Sequence, residues 1–352
     1  MLDDLARLSD ADPGGMLAAV EAVDGHWRDA IARARAVDLS HLPDHSGLTS
    51  VVVCGMGGSG IAGDVAACVA ADRASVPVTV VKGFELPAFA GSHTLVVLAS
   101  YSGGTEETLA CFRQAHDRGA PIVAVATGGE LGELAHAHDA PCVVPAAGMM
   151  PRAAFPYLAG AVLILFERLG VLPDLTAELV ETDQVLREQA ATLGRAVPTD
   201  ENPAKQIAGA LHGRTPFVWG QEGPLTVAAS RWATQLHENA KVAAFSASVP
   251  ELTHNAIVGA TGESVPLDRF AVVALRAPAE DARVAQRLDA ALRLVAPHVG
   301  AVIEAHARGS GVLARLASAV HLGDLVSVYL AFLNGVDPTP IEPIERLKAE
   351  LT

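Results

Sequence analysis

Ser50-Val51-Val52-Val53-Cys54-Gly55-Met56-Gly57-Gly58-Ser59-Gly60-Ile61-Ala62-Gly63 is the stretch that decides how this chain folds. Its first five residues form an apolar, β-branched run of strand length, its middle is a glycine turn, and an alanine-rich stretch of helical length follows over 61–71. Strand, glycine turn and helix in that order open a βαβ unit. Outward from it, apolar runs recur at 78–81, 95–100, 122–126 and 142–144, with a second helical stretch at 106–118. Such short runs, apolar throughout rather than alternating, predict buried parallel strands of a doubly wound α/β sheet.

Composition narrows the function classes. The chain has 352 residues, half of them hydrophobic and 18% charged, which is enough apolar material for two α/β domains and too little polar sequence for extended disorder. A net charge of −15 repels nucleic acid and anionic membrane surfaces, so neither is an expected partner. The same charge repels a phosphorylated small molecule, so a phosphate site here has to be built from local dipoles. Cys54, Cys68, Cys111 and Cys142 lie far apart without metal-type spacing and read as structural thiols. Residues 1–12 carry Asp3, Asp4, Asp10 and Asp12 and no apolar core of signal-peptide length, so a cytoplasmic location is expected. The apolar stretch 325–336 is shorter than a membrane span and reads as a buried helix.

Three segments are expected. Residues 1–48 form an acidic helical extension, with Leu2, Leu5 and Leu8 on one face and a second helix near 18–37, wrapped on the core. Residues 49–197 make the first sheet unit and continue through helical stretches at 152–169 and 176–193. The polar stretch 198–203 is the expected boundary to a second unit over 198–352, with strands at 217–220, 242–246, 270–276 and 301–305 and helices at 224–239 and 280–296. Each half opens with a strand running into a glycine turn, as in a degenerate duplication, and only the first turn keeps a serine.

The chemistry concentrates at two turns. Gly55 to Gly63 places glycines, among them Gly58, and the hydroxyl of Ser59 where a helix begins and backbone amides can approach an anion. A dinucleotide fingerprint is the competing reading, but no strand-end acid follows some 20 residues on. The second turn, Ser100-Tyr101-Ser102-Gly103-Gly104-Thr105-Glu106-Glu107, ends one apolar run and starts a helix. Helix capping by Ser102 or Thr105 accounts for one hydroxyl; Ser100, Ser102 and Thr105 together suit a phosphomonoester.

These two turns, together with His237-Glu238-Asn239-Ala240-Lys241 and Pro250-Glu251-Leu252-Thr253-His254-Asn255, resemble the bifunctional phosphoglucose/phosphomannose isomerases of the sugar isomerase (SIS) superfamily over nearly the whole chain. The resemblance implies two SIS-type, flavodoxin-like subdomains with helical N- and C-terminal extensions, a homodimer with the site at its interface, and no metal or other cofactor. It further implies interconversion of glucose 6-phosphate or mannose 6-phosphate with fructose 6-phosphate. By position it assigns Ser59, Ser100, Ser102 and Thr105 to the phosphate, Glu238 as base and His254 to ring opening, with Arg152 and Lys348 at the family's basic positions. Two departures stand out: Gly104 replaces the family's usual Asn, and Ala256 an acidic residue.

Read without the family, each of these residues has a plainer explanation. Apolar Leu225, Ala229, Trp232 and Leu236 fix an inward helix face and leave Glu238 near the helix C-terminus, where it can equally be a solvated acid paired with Lys241. A loop histidine such as His254 is commonly just exposed. Arg152 opens a helix and can be a surface charge, and Lys348 lies in an amphipathic stretch with Ile344, Leu347 and Leu351 that can be a solvated face. A catalytically weak sugar-phosphate-binding regulatory protein is therefore the alternative function, with an amide-sugar transferase or aminosugar isomerase third. The long apolar helix over 312–333 is expected to offer a surface that a partner covers.

Overall fold

The glycine turn after Cys54 does join a strand to a helix, in a computed structural model that describes residues 1–42, 45–262, 264 and 266–351. Three helices come first: α1 (Leu5–Ala11), α2 (Met16–Glu21) and α3 (Val23–Ala36). Strands and helices then alternate through β1 (Ser50–Cys54), α4 (Gly57–Ala70), β2 (Val78–Val81), β3 (Thr94–Ala99), α5 (Glu106–Asp117), β4 (Ile122–Val125), α6 (Gly129–Ala137) and β5 (Cys142–Val143). Helices α7 (Phe155–Arg168), α8 (Thr176–Leu193) and α9 (Pro203–Leu211) lead to a second round. That round comprises β6 (Thr215–Gln221), α10 (Pro224–Glu238), β7 (Phe245–Val249), α11 (Ala256–Ala260), β8 (Leu267–Arg276), α12 (Ala282–Val295), β9 (Val299–His306), α13 (Val312–Leu333) and α14 (Glu342–Leu351).

Both sheets are wholly parallel, in the orders β2-β1-β3-β4-β5 and β7-β6-β8-β9. The first strand of each set lies inside, its successor pairs on one flank and the third on the other, which is doubly wound, flavodoxin-like winding in both halves. Strands β1, β3 and β4 are buried along their whole length, as apolar runs covered on both faces must be. The chain forms two compact units: Val23–Gln184, and Met1–Ala22 together with Val185–Thr352. The division falls inside α8, so the polar stretch 198–203 lies within one unit. The N-terminal helices are shared out as well. Helix α3 packs on α7, while Asp3 reaches the buried ammonium of Lys205 (3.0 Å) and Glu21 pairs with Arg195.

Several elements differ from expectation for local reasons. Helix α4 starts at Gly57, four residues earlier than its alanine-rich stretch, because Gly57 to Gly60 are wound into its first turn. Helix α7 starts at Phe155, and Arg152 precedes it in a turn; Pro156 fits only in a first helical turn, which fixes the start. Strand β7 is displaced to Phe245–Val249, since the chain leaving α10 uses residues 239–244 as its loop. Leu2 and Leu8 are buried, but Leu5 is 49% exposed on the other side of α1.

The surface expected on the helix over 312–333 is already covered. That helix, α13, is long and apolar enough to cross a membrane by length and composition, and 94% of its apolar window is buried within the protein against α9 and α10. Its docking to α10 is tight: Trp232 Nε1 donates to the Ala319 carbonyl at 2.8 Å, and a Cβ at Gly323 would stand 2.2 Å from that nitrogen. Gly323→Ala is therefore expected to cost about 1–3 kcal/mol of stability through overpacking. A melting curve checks it, and an unchanged Tm would mean that the two helices separate without penalty.

Candidate functional site

Strands β1 and β3 are neighbours in register, Cys54 opposite Leu98, so the turns that follow them leave the sheet side by side. A Cβ at Gly55 would lie 2.9 Å from the Ala99 carbonyl oxygen, and the first turn can rest against the second because that atom is missing. The two turns begin α4 and α5. The residue preceding each helix, Met56 and Thr105, makes no side-chain cap to it. Their first-turn amides thus converge without an internal acceptor from the caps, at two positive dipole ends.

Hydroxyls complete this edge of the sheet. Ser59 is buried in the first turn of α4. Ser100 is buried at the end of β3; its Oγ lies 2.8 Å from Thr105 Oγ1 and accepts from the Gly103 amide at 3.2 Å. Ser102 is exposed, and its Oγ accepts from the Gly104 amide at 3.3 Å. Thr105 Oγ1 sits beside Ser100 Oγ and makes no cap to α5, which overturns simple helix capping by that residue. Gly103 has φ +73°, and a Cβ there would meet the Gly128 carbonyl oxygen at 1.8 Å, so a third turn, at the end of β4, buttresses the second. Cys54 adds no anion of its own, because its hydrogen bond with Cys111 and its burial hold the thiol far above the usual range.

Two residues near these turns escaped the sequence reading. The Tyr101 hydroxyl donates to the Ala146 carbonyl (2.7 Å) and accepts from the Met149 amide (3.1 Å), hanging the loop that leads to Arg152 from the hydroxyl turn. An aromatic inside a Ser/Gly turn was the available signal. Lys82, at the end of β2, pairs with Asp64, and its Cε would lie 3.1 Å from a Cβ at Gly60. A cation therefore flanks the first turn of α4, where only dipoles were expected. Arg152 itself is 3% exposed, which excludes a surface charge.

Glu238, His254 and Lys348 belong to the other unit. Glu238 is the last residue of α10 and half-buried. Lys241 donates to the backbone carbonyls of Glu238 (2.5 Å), Pro338 (3.2 Å) and Pro340 (2.7 Å), so it caps the helix end. His254 ends a short 3₁₀ turn, Glu251–His254, after β7 and is exposed. In a parallel unit a helix runs back against its strands. Glu238 therefore lies at the amino edge of the second sheet and His254 at its carboxyl edge, separated by the 15 residues of α10, about 22 Å of helix. One chain does not bring these two together. Lys348 lies on α14, a helix with no buried residue, whose Leu347 and Leu351 are 57% and 76% exposed.

Comparison with known proteins bears on what such a site does. Residues 200–351 match the family model for the bacterial phospho-glucose isomerase C-terminal SIS domain. The chain is 37% identical over 304 residues to the bifunctional phosphoglucose/phosphomannose isomerase of Caldicellulosiruptor bescii, covering 86% of this chain and 90% of that one. It is 35% identical to the Aquifex aeolicus protein of the same name, at the same coverage. Among solved structures, a glucose-6-phosphate isomerase like protein from Thermus thermophilus shares the fold at TM-score 0.64 and 21% identity, covering 100% of this chain and 99% of that one. By these likenesses the chain belongs to the bifunctional phosphoglucose/phosphomannose isomerase family.

Proposed function

We propose that the protein is a cytoplasmic aldose–ketose isomerase that interconverts glucose 6-phosphate, mannose 6-phosphate or both with fructose 6-phosphate. The observation that carries this reading is the pair of helix N-termini without side-chain caps, lined by Ser59, Ser100, Ser102 and Thr105, at adjoining strand ends of a chain from this family. Such a cradle suits a phosphomonoester in a protein of net charge −15, because it attracts the dianion by short-range dipoles and hydroxyl contacts. Glu106 and Glu107 in the first turn of α5 oppose an anion, and the convergence of two helix ends offsets them.

On this reading the Glu238 carboxylate takes the C2 proton of the open-chain aldose and returns it to C1, while a proton passes from O2 to O1. The buried guanidinium of Arg152 stabilises the negative oxygen of the enediolate, and His254 passes a proton to or from the ring oxygen as the sugar opens and closes. Lys348 is the second cation of the site. The separation of Glu238 from His254 within one chain supports a homodimer in which the histidine comes from the second copy.

Four measurements test the proposal. In a coupled assay with each hexose 6-phosphate, Glu238→Gln is expected to lower kcat by about 10²–10⁴-fold while sugar-phosphate binding persists; undiminished turnover removes the base. If the purified protein is stabilised thermally by the sugar phosphate yet never isomerises it, the regulatory reading takes over. Thr105→Val, by removing one hydroxyl from the cradle, is expected to weaken binding about 10-fold or more, the worth of a hydrogen bond to a charged group. Finally, Glu238→Gln and His254→Gln chains, each inactive alone, should regain about a quarter of wild-type activity per site when mixed and allowed to exchange, because half the dimers hold one intact site. Absence of recovery in exchanged dimers argues against a shared site.

A further inference from the structure

Beside Trp232, the face of α10 turned toward α13 carries a polar stripe where helix pairs are ordinarily apolar. Arg231, Gln235 and Asn239, spaced by four residues along one stripe, are all buried. Arg231 donates to both oxygens of the Asp324 carboxylate, Nε to Oδ1 at 2.9 Å and Nη2 to Oδ2 at 2.8 Å, and Gln235 Nε2 donates to Oδ1 at 3.0 Å. One turn further along, Asn239 Nδ2 donates to Ser327 Oγ (2.9 Å), which in turn donates to the Asp324 carbonyl (2.6 Å). Asn334 Nδ2 closes the series on the Ala240 carbonyl at 3.1 Å. Burial holds the Asp324 carboxyl above the usual carboxylate range, against the smaller opposing pull of Arg231 and Gln235.

A buried ion pair seldom stabilises a fold more than apolar residues of the same volume; its attested use is to fix register. Apolar packing tolerates a small slide or rotation of one helix on another, whereas a two-pronged Arg–carboxylate pair has one geometry. The residue whose place this register sets lies between Gln235 and Asn239: it is Glu238. We propose that Arg231 and Asp324, with Gln235, Asn239 and Ser327, are positioning residues that hold α10 in the one register on α13 that aims the Glu238 carboxylate at the substrate. This inference rests on the reading of Glu238 as the catalytic base.

The test replaces the pair by apolar residues of similar volume, Arg231→Met with Asp324→Leu, in the full-length protein. Cooperative melting close to the wild-type Tm is expected, with kcat for fructose 6-phosphate reduced about 10- to 100-fold, the effect of an ångström-scale misplacement, while KM changes much less. Wild-type kcat in a folded double variant overturns the proposal. A second readout needs no activity: Glu238→Cys carrying a trifluoromethyl label, with the half-buried Cys68 and Cys142 changed to Ser, read by fluorine NMR. One resonance is expected with the network intact, and a shifted, broadened or multiple signal without it. An unchanged resonance overturns the proposal whether or not the wild-type protein isomerises sugars, so the fate of Glu238 as base and the fate of the register are decided separately. Should the double variant not fold, Arg231→Lys, which keeps the charge and loses the fork, is put through both readouts: reduced kcat with an altered resonance is expected, and wild-type kcat or an unchanged resonance overturns the proposal.

Discussion

The hydrogen-bonded pairing of β1 with β3 is the constraint on which the candidate site depends. Because the strands are parallel and adjacent, the helices that follow them start at the same edge, and two positive helix ends face the same space. Neither end is capped by its own preceding side chain, and Gly55 and Gly103 remove the Cβ atoms that would hold the turns apart from their neighbours. Moving β1 away from β3 would leave two isolated helix starts, neither of which makes an anion site by itself.

Much of this was legible in the sequence, for a physical reason. A strand buried on both faces has to be apolar throughout, so β1, β3 and β4 announce themselves as Val-, Leu- and Ile-rich runs, and the glycine turns after them mark the carboxyl edge. What failed was whatever depends on tertiary override. Four consecutive small residues, Gly57 to Gly60, argue against a helix by propensity, yet they begin α4 because the turn they make is held by β1 and β3. Strand β7, Phe-Ser-Ala-Ser-Val, is only partly buried and has no continuous apolar run to betray it. Lys82 and Tyr101 were missed because their importance lies in non-local neighbours: Lys82 beside Gly60, and Tyr101 holding a backbone 45 or more residues away.

The candidate residues of the second unit were found by resemblance, and their geometry explains why sequence physics did not select them. Glu238 is one acid at a helix end among many, and His254 one exposed histidine among thirteen. What sets Glu238 apart is its backbone. Lys241 holds its carbonyl, and the residues before and after it on the inner stripe are tied to α13 through Asp324 and Ser327. An unusual density of directional bonds thus surrounds a carboxylate that itself stays partly open to solvent.

Opposite edges of one sheet for Glu238 and His254 carry a consequence for how such an enzyme would work. The about 22 Å of α10 between them cannot be closed by side-chain motion, since the helix is anchored along its length to β6 and α13. On the proposed mechanism, ring opening and proton transfer at C1 and C2 then draw on two copies of the chain, and the catalytic constellation exists only in the assembled dimer. Stability of the single fold and competence for the reaction become separate properties. The buried network on α10 would serve both, docking the helix and aiming its last carboxylate, while the 3₁₀ turn that ends at His254 is anchored in its own chain's core by Leu252 and leaves the histidine exposed for the other copy's site.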